Sequence, residues 1–179
     1  MDINPALQLA TYRHGSQMYG EKGYVSGHLA QVVATLKVNG FDRPEMISAG
    51  WLHDIVEDTE TSLEEIRSMF GDEVAKLVWA VTTEPGRNRK ERNAATYPKL
   101  RAAGPDAVAL KLCDRISNVE ASWDSRDAKL FMYQREYRDF RSALRRESDG
   151  EAVLALWKRL DTLLGWWEPT PESQPLEPR

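Results

Sequence analysis

Apolar residues return every three or four positions along most of this chain, and this helical spacing is what most limits the fold it can adopt. Residues 72–82 show the pattern, because Val74, Leu77, Val78 and Val81 fall on one helical face. The same spacing predicts eight more helices, over residues 5–18, 28–38, 44–58, 63–70, 91–103, 106–120, 127–146 and 150–165. No segment alternates apolar and polar residues as a strand does, so we predict an all-α fold in a single helical bundle.

Local signals mark where some of these helices begin and bend. Pro44 suits the first position of the third helix. Thr61 and Glu64 have the spacing of a capping box, which predicts Thr61 as the N-cap of the next helix. Pro98 is expected to kink the helix over 91–103, because proline lacks the backbone N–H that a helix interior uses.

The length of 179 residues suits one domain with a substantial core, which we assign to residues 1–165. Residues 166–179 are rich in proline and polar side chains, and this composition predicts a disordered tail. The first residues contain no apolar signal segment, and no apolar run approaches the ~20 residues of a membrane span. We therefore expect a cytoplasmic location and no membrane partner.

Charge and cysteine content limit the chemistry further. The net charge is −4 and the pI is about 5.5, so nucleic acid is not an expected partner. Cys113 is the single cysteine, which rules out an internal disulfide or a thiolate zinc site. We interpret Cys113 as a small buried residue rather than a nucleophile. The sequence leaves the oligomeric state open.

The helix predicted over 44–58 carries an unusual polar cluster among its apolar residues. His53 and Glu57 lie on one side of it, and Asp54 and Asp58 lie next to them. One interpretation is a half-buried helix whose acids face solvent. The other is a metal site, because three neighbouring carboxylates repel one another unless a cation lies among them.

A second polar stripe supplies partners for such a site. Lys111, Asp114, Arg115 and Asn118 recur at helical spacing on an otherwise apolar helix. This pattern is typical of a helix that lines a pocket, although a surface helix with an Asp–Arg pair would look the same. His28, at the start of the second helix, is close enough in the predicted bundle to contribute an imidazole.

Two imidazoles and two carboxylates form a mixed nitrogen and oxygen donor set. Such a set suits manganese, iron or zinc, with coordination positions left for water and substrate. The four candidate ligands are His28, His53, Asp54 and Asp114. The combination is typical of metal-dependent hydrolases.

Two segments resemble a known family. "WLHDIVEDTETSLEEIRSMFGDEVAKLVWAVT" and "LKLCDRISN" are similar to the HDxxED and DRxxN segments of HD-domain metal-dependent phosphohydrolases. The likeness is greatest to the hydrolase domain of RelA/SpoT-type enzymes, and in particular to the single-domain small alarmone hydrolases. It extends over about residues 7–142.

The resemblance implies a manganese enzyme that removes the 3′-diphosphate from guanosine tetraphosphate or pentaphosphate. It implies the same four metal ligands and a catalytic role for the acidic pair Glu57 and Asp58, which would act on the attacking water. It also implies that Arg89 meets phosphate, and that Asn118 and Tyr137 lie near the nucleoside.

Phosphate needs positive charge in the pocket, and the sequence offers few sources of it. Arg115 and Lys111 are expected to join Arg89 in neutralising phosphate charge. The family's first segment normally carries a basic pair, but Tyr19 and Gly20 stand at those positions here.

This departure leaves the function open between three alternatives. Lys22 or Arg13 could replace the missing basic pair, and the substrate would then be a guanosine alarmone. Otherwise the chain would be a phosphohydrolase for another nucleotide, such as an adenosine alarmone, a deoxynucleotide or NADPH. A third possibility, a non-catalytic nucleotide-binding domain, has no physical need for the Glu57 and Asp58 charges.

Overall fold

The computed structural model describes residues 4–125 and 128–166, and helices form most of that part of the chain. The ten described α-helices are α1 (Pro5–His14), α2 (Ala30–Val38), α3 (Pro44–Leu52), α4 (Ile55–Asp58), α5 (Leu63–Phe70), α6 (Asp72–Val81), α7 (Arg89–Ala103), α8 (Pro105–Ser125), α9 (Ala128–Leu144) and α10 (Glu151–Leu164). The predicted all-α class is confirmed. Of the predicted tail, only Trp166 lies within the described residues.

Helix α8 is the central element of the bundle. It packs against α2, α6, α7, α9 and α10. Leu110, Leu112, Ile116 and Val119 on it are fully buried, and each such side chain contributes roughly 1.5–3 kcal/mol to folding. Neighbours cover α8 on several sides, and Asp114 and Arg115 in its polar stripe are buried as well. The alternative of a surface helix is therefore wrong.

The chain departs from the predicted first helix after His14. Helix α1 ends there because Gly15 adopts a positive φ of 51°, which few other residues tolerate. A two-stranded hairpin follows, formed by β1 (Met18–Tyr19) and β2 (Lys22–Gly23). Strands of two residues are too short to show alternation, so the sequence pattern missed this hairpin.

Two further departures shape the site. Residues Val25–Leu29 form a π-helical turn before α2 begins. The helix predicted over 44–58 is interrupted by a turn at His53 and Asp54, because α3 ends at Leu52 and α4 begins at Ile55, with Asp54 at φ −101° and ψ −2°. The chain therefore enters and leaves this region through irregular backbone, which is frequent at functional sites.

Most helices begin close to the predicted residues, but the predicted N-cap of α5 is wrong. Ser62, not Thr61, caps α5, because its hydroxyl oxygen accepts a hydrogen bond from the Glu65 backbone N–H at 3.1 Å. Pro98 lies inside α7. Within residues 4–125 and 128–166, no helix is both long and apolar enough to cross a membrane.

Candidate active site

Four side chains from three separate parts of the fold meet at one point. His28 comes from the π-helical turn, His53 and Asp54 from the α3–α4 break, and Asp114 from the middle of α8. One donor atom from each lies within 4.8 Å of the other three. The two Nε2 atoms of His28 and His53 are 3.2 Å apart, and Asp54 Oδ2 is 3.3 Å and 3.1 Å from them. We call these four residues the tetrad.

The irregular backbone explains how the tetrad assembles. Consecutive residues of a regular α-helix point about 100° apart. In the turn between α3 and α4, His53 Nε2 and Asp54 Oδ2 lie 3.1 Å apart. Asp114 then reaches the same point from α8, with Oδ1 3.4 Å from His28 Nε2.

Hydrogen bonds at the far side of each ring fix both imidazoles. His53 Nδ1 lies 2.9 Å from the Gly50 carbonyl oxygen, and His28 Nδ1 lies 2.9 Å from Ser117 Oγ. A carbonyl can only accept, so His53 Nδ1 carries a proton, and in the neutral ring Nε2 directs its lone pair at the tetrad. This arrangement is typical of histidines that bind metals.

The charges of the tetrad depend on one another. Burial opposes the charged form of His53, but the carboxylates of Asp54 and Asp114 outweigh this effect and raise its pKa to about 10. Burial likewise opposes ionisation of Asp54, yet the neighbouring His53 and His28 hold its pKa well below its usual range. Two imidazoles and two ionised carboxylates in so small a volume fit a divalent metal ion.

A cleft of about 240 Å³ opens beside the tetrad, and both acids of the predicted catalytic pair line it. Glu57 Oε1 accepts a hydrogen bond from the Thr83 backbone N–H at 2.8 Å. Asp58 Oδ2 accepts one from Gln17 Nε2 at 2.9 Å. One oxygen of each carboxylate is thus held by a hydrogen-bond donor.

The predicted cations line the same cleft. Lys111 Nζ lies 2.9 Å from Asp114 Oδ2, and although burial disfavours its charge, Asp114 and Asp54 raise its pKa. Arg89 Nε donates to both oxygens of Glu136, at 2.7 Å and 2.9 Å. These contacts hold the cationic groups in place beside the tetrad.

Arg115 is the most deeply placed of these cations, with 4% of its surface exposed. Its guanidinium lies over the rings of Tyr133 and Phe140, with its central carbon 4.9 Å and 4.5 Å from the ring centres. Nη1 is 3.8 Å from Glu136 Oε2 and has no hydrogen-bond partner among the described residues.

Asn118 also reaches the cleft, but its side chain is already engaged. Nδ2 donates to Asp114 Oδ1 at 2.6 Å, and Oδ1 accepts from the Tyr19 hydroxyl at 3.1 Å. Of the two cations suggested as replacements for the family's basic pair, Arg13 pairs with Glu65 at 2.6 Å. Lys22 lines a different cavity.

The structure does not bring Tyr137 to the cleft. Tyr137 is 1% exposed, and its hydroxyl donates to Asp161 Oδ1 at 2.5 Å, on the side of α9 that faces α10. Tyr133, one turn earlier, lines the cleft instead. The site also contains Tyr24, whose hydroxyl donates to Asp54 Oδ2 and which the sequence reasoning missed.

The charges along the cleft balance. Its lining includes four carboxylates and four cationic side chains: Asp54, Glu57, Asp58, Asp114, Arg89, Arg92, Lys111 and Arg115. Arg92 was not predicted, although it lies in the same basic run as Arg89. A divalent ion in the tetrad would replace the proton bound to His53, raise the positive charge of the site and make the cleft more attractive to an anion.

The helical fold and its His53–Asp54 pair define the class of protein to which this chain belongs. The chain belongs to the HD-domain family, whose model matches residues 6–145. The predicted family is thereby confirmed.

Particular relatives narrow the comparison. The chain is 39% identical over 133 residues to a guanosine-3′,5′-bis(diphosphate) 3′-pyrophosphohydrolase of Aquifex aeolicus, covering 72% of this chain and 19% of that protein. It is 32% identical over 117 residues to the pyrophosphohydrolase MESH1 of Drosophila melanogaster, covering 63% of this chain and 65% of that protein. The matches span less than two thirds of either relative.

A solved structure shows the same fold. It is that of a metazoan orthologue of SpoT, a protein described as hydrolysing ppGpp. The TM-score is 0.74, with 90% of this chain and 94% of that one covered, at 24% identity.

Proposed function

We propose that this protein is a manganese-dependent hydrolase that removes the 3′-diphosphate from guanosine 3′,5′-bis(diphosphate) and its pentaphosphate analogue. The observation that carries the proposal is the tetrad, which lies beside a cleft lined by two further carboxylates and several cations. The names of the relatives in Aquifex aeolicus and Drosophila melanogaster supply the substrate. The cytoplasmic location predicted above stays a prediction.

The proposed metal ligands are His28, His53, Asp54 and Asp114. When bound, a divalent manganese ion would supply Lewis acidity to the phosphoryl group. Tyr24 donates a hydrogen bond to Asp54 Oδ2, the oxygen that also lies nearest the two imidazoles, and so helps to orient this carboxylate.

Glu57 and Asp58 are the groups we assign to proton transfer. Each has one oxygen held by a backbone or amide donor, so the carboxylates are oriented before substrate arrives. One of them can accept the proton of the attacking water while the phosphate bond breaks. The leaving 3′-oxygen then receives a proton. The products are pyrophosphate and a nucleoside 5′-diphosphate, or a nucleoside 5′-triphosphate when the pentaphosphate is the substrate.

Lys111, Arg115 and Arg89 are the groups we assign to phosphate binding. Arg115 places a buried guanidinium in the wall of the cleft, which suits an anion that enters it. Arg89 must exchange its contact with Glu136 for one with phosphate. Asn118 stays a predicted nucleoside contact, and Tyr137 would need to leave its bond to Asp161 to act as one.

One observation favours another nucleotide as substrate. Tyr19 places a neutral hydroxyl on Asn118 where the family normally has a cation. An adenosine alarmone, a deoxynucleotide or NADPH is therefore the second candidate substrate.

The decisive experiment incubates the purified protein with Mn²⁺ and a panel of nucleotides, and it identifies the products. The panel contains guanosine and adenosine polyphosphates, deoxynucleoside triphosphates and NADPH. We expect the guanosine substrate to give GDP and pyrophosphate, and the His53→Ala variant to give neither. If another nucleotide of the panel is hydrolysed preferentially, that nucleotide is the substrate instead. If none is hydrolysed, a non-catalytic nucleotide-binding domain is favoured.

A further inference from the structure

A lysine beside the candidate site is largely buried and has no part in the function described so far. Lys99 lies on α7, and its side chain is 9% exposed. Its Nζ donates hydrogen bonds to the Thr82 carbonyl oxygen at 2.7 Å and to Glu84 Oε1 at 2.6 Å. The Trp79 ring lies over the same ammonium group, with its centre 4.9 Å from Nζ. Three contacts thus hold the charged end of Lys99 in one place.

The burial of Lys99 sets it apart from the surface ion pairs of this chain. Arg67 and Glu64, for example, pair at 2.6 Å with both side chains more than half exposed, and pairs of that kind contribute little to stability. A charge taken out of water needs well-placed partners, and an apolar side chain often stabilises such a position at least as well as a buried ion pair does. Stability alone therefore does not account for a lysine at this position.

The carbonyl that Lys99 binds belongs to the same peptide unit as the Thr83 N–H. A peptide unit is planar and trans, so its C=O and its N–H point in opposite directions. The Thr83 N–H donates to Glu57 Oε1 at 2.8 Å. Lys99 and Glu57 therefore hold the two ends of one rigid group, and the contact with Lys99 sets the direction in which the N–H points.

The segment that contains this peptide unit is tied to α7 at a second point. The Glu84 N–H donates to Thr96 Oγ1 at 2.9 Å, and Thr96 is a buried residue of α7. Glu57 has the opposite character, because its side chain is exposed and α4 is only four residues long. The peptide unit is thus the fixed side of the contact, and it orients the Glu57 carboxylate.

We propose that Lys99 is a positioning residue for Glu57. Lys99 is not one of the residues that line the cleft, but it fixes the peptide unit whose N–H holds the Glu57 carboxylate. Its positive charge also polarises that peptide unit and so strengthens the hydrogen bond to Glu57. The inference rests on the proposed function, because that function assigns proton transfer to Glu57.

The test compares Lys99→Met with Lys76→Met in the full-length, manganese-loaded protein. Lys99→Met removes the ammonium group and keeps a side chain of similar length. Lys76→Met is the matched control, because Lys76 is an exposed lysine on α6 and its loss changes the net charge equally. Glu84→Gln is a milder variant that keeps Lys99 and removes only its ion pair.

The first measurement is independent of hydrolysis. It is the exchange rate of the Thr83 backbone amide hydrogen, followed by NMR. We expect Lys99→Met to raise this rate by roughly 3- to 10-fold, because the N–H is no longer held towards Glu57. Glu84→Gln should raise it by a smaller factor, and Lys76→Met should leave it unchanged. An unchanged rate in both Lys99→Met and Glu84→Gln would overturn the proposal.

The second measurement is the hydrolysis of guanosine 3′,5′-bis(diphosphate). Lys99→Met should lower kcat by roughly tenfold and change KM by less than about twofold, because the carboxylate that it misplaces acts in proton transfer. In a chain that already carries Glu57→Gln, Lys99→Met should change kcat by less than about twofold, since the carboxylate that Lys99 positions is then absent.

Two outcomes separate this inference from the function on which it rests. An equal loss of kcat with and without Glu57→Gln would overturn the proposal, because Lys99 would then act independently of Glu57. Faster Thr83 exchange in Lys99→Met, in a protein whose wild type hydrolyses no nucleotide, would instead overturn the proposed function while confirming that Lys99 orients the contact with Glu57.

Discussion

Removing the Ser117 hydroxyl should weaken metal binding although Ser117 is not a proposed ligand. Ser117 is fully buried, and its Oγ lies 2.9 Å from His28 Nδ1. Ser117→Ala leaves that ring nitrogen unpaired and free to turn, so Nε2 no longer holds its direction. Such supporting partners typically change metal affinity by about 10- to 100-fold. The unpaired buried nitrogen should also lower the free energy of unfolding by about 1–3 kcal/mol.

Ser122→Ala is the matched control for this experiment. Ser122 is a buried serine on the same helix, and its hydroxyl donates to the Asn118 carbonyl oxygen at 2.8 Å, away from the metal ligands. Metal affinity is measured by competition with a chelator, and stability by chemical denaturation of the metal-free chains. Equal manganese affinity in the two variants would refute the reasoning that links Ser117 to His28.

Other outcomes follow from the same geometry. Glu57→Gln and Asp58→Asn should each retain manganese, measured by elemental analysis, and lower kcat by roughly 100-fold or more, so a wild-type kcat in both would contradict their catalytic role. The metal-free protein should lose stability as the pH rises from about 6.5 to about 10. The reason is that the pKa of His53 is about 6.5 in the unfolded chain and about 10 in the folded one, so the folded protein binds this proton more tightly. Equal denaturation midpoints at pH 6 and pH 9 would contradict this prediction. Leu112→Ala should lower the free energy of unfolding by about 2–5 kcal/mol, and a loss below 1 kcal/mol would show that α8 is not central.

The helices were predictable because a helix buried on one face needs an apolar residue every three or four positions, and this spacing is visible in the sequence. The break between α3 and α4 was not predictable in this way, since the apolar period continues through Trp51 and Ile55 with no glycine or proline between them. The hairpin at Met18–Tyr19 was missed for a different reason, because two residues cannot show a period.

The residues of the candidate site were predictable to the extent that their chemistry is unusual. His28, His53, Asp54 and Asp114 stood out because charged and imidazole groups are rare on apolar helices, and the structure brings them together. Tyrosine carries no such signal. Tyr133 and Tyr137 are both buried on α9, one turn apart, and only the packing shows which one faces the cleft.

The charge balance of the cleft links its two ligands. Four carboxylates, four cationic groups and the protonated His53 give the metal-free cleft little net charge, and a divalent ion, which takes the place of that proton, makes the cleft more positive. The binding free energies of metal and nucleotide are then coupled, and coupling of this kind is reciprocal. Nucleotide must retain the ion as strongly as the ion recruits nucleotide, so a rise in alarmone concentration would itself help the protein keep its metal when manganese is scarce.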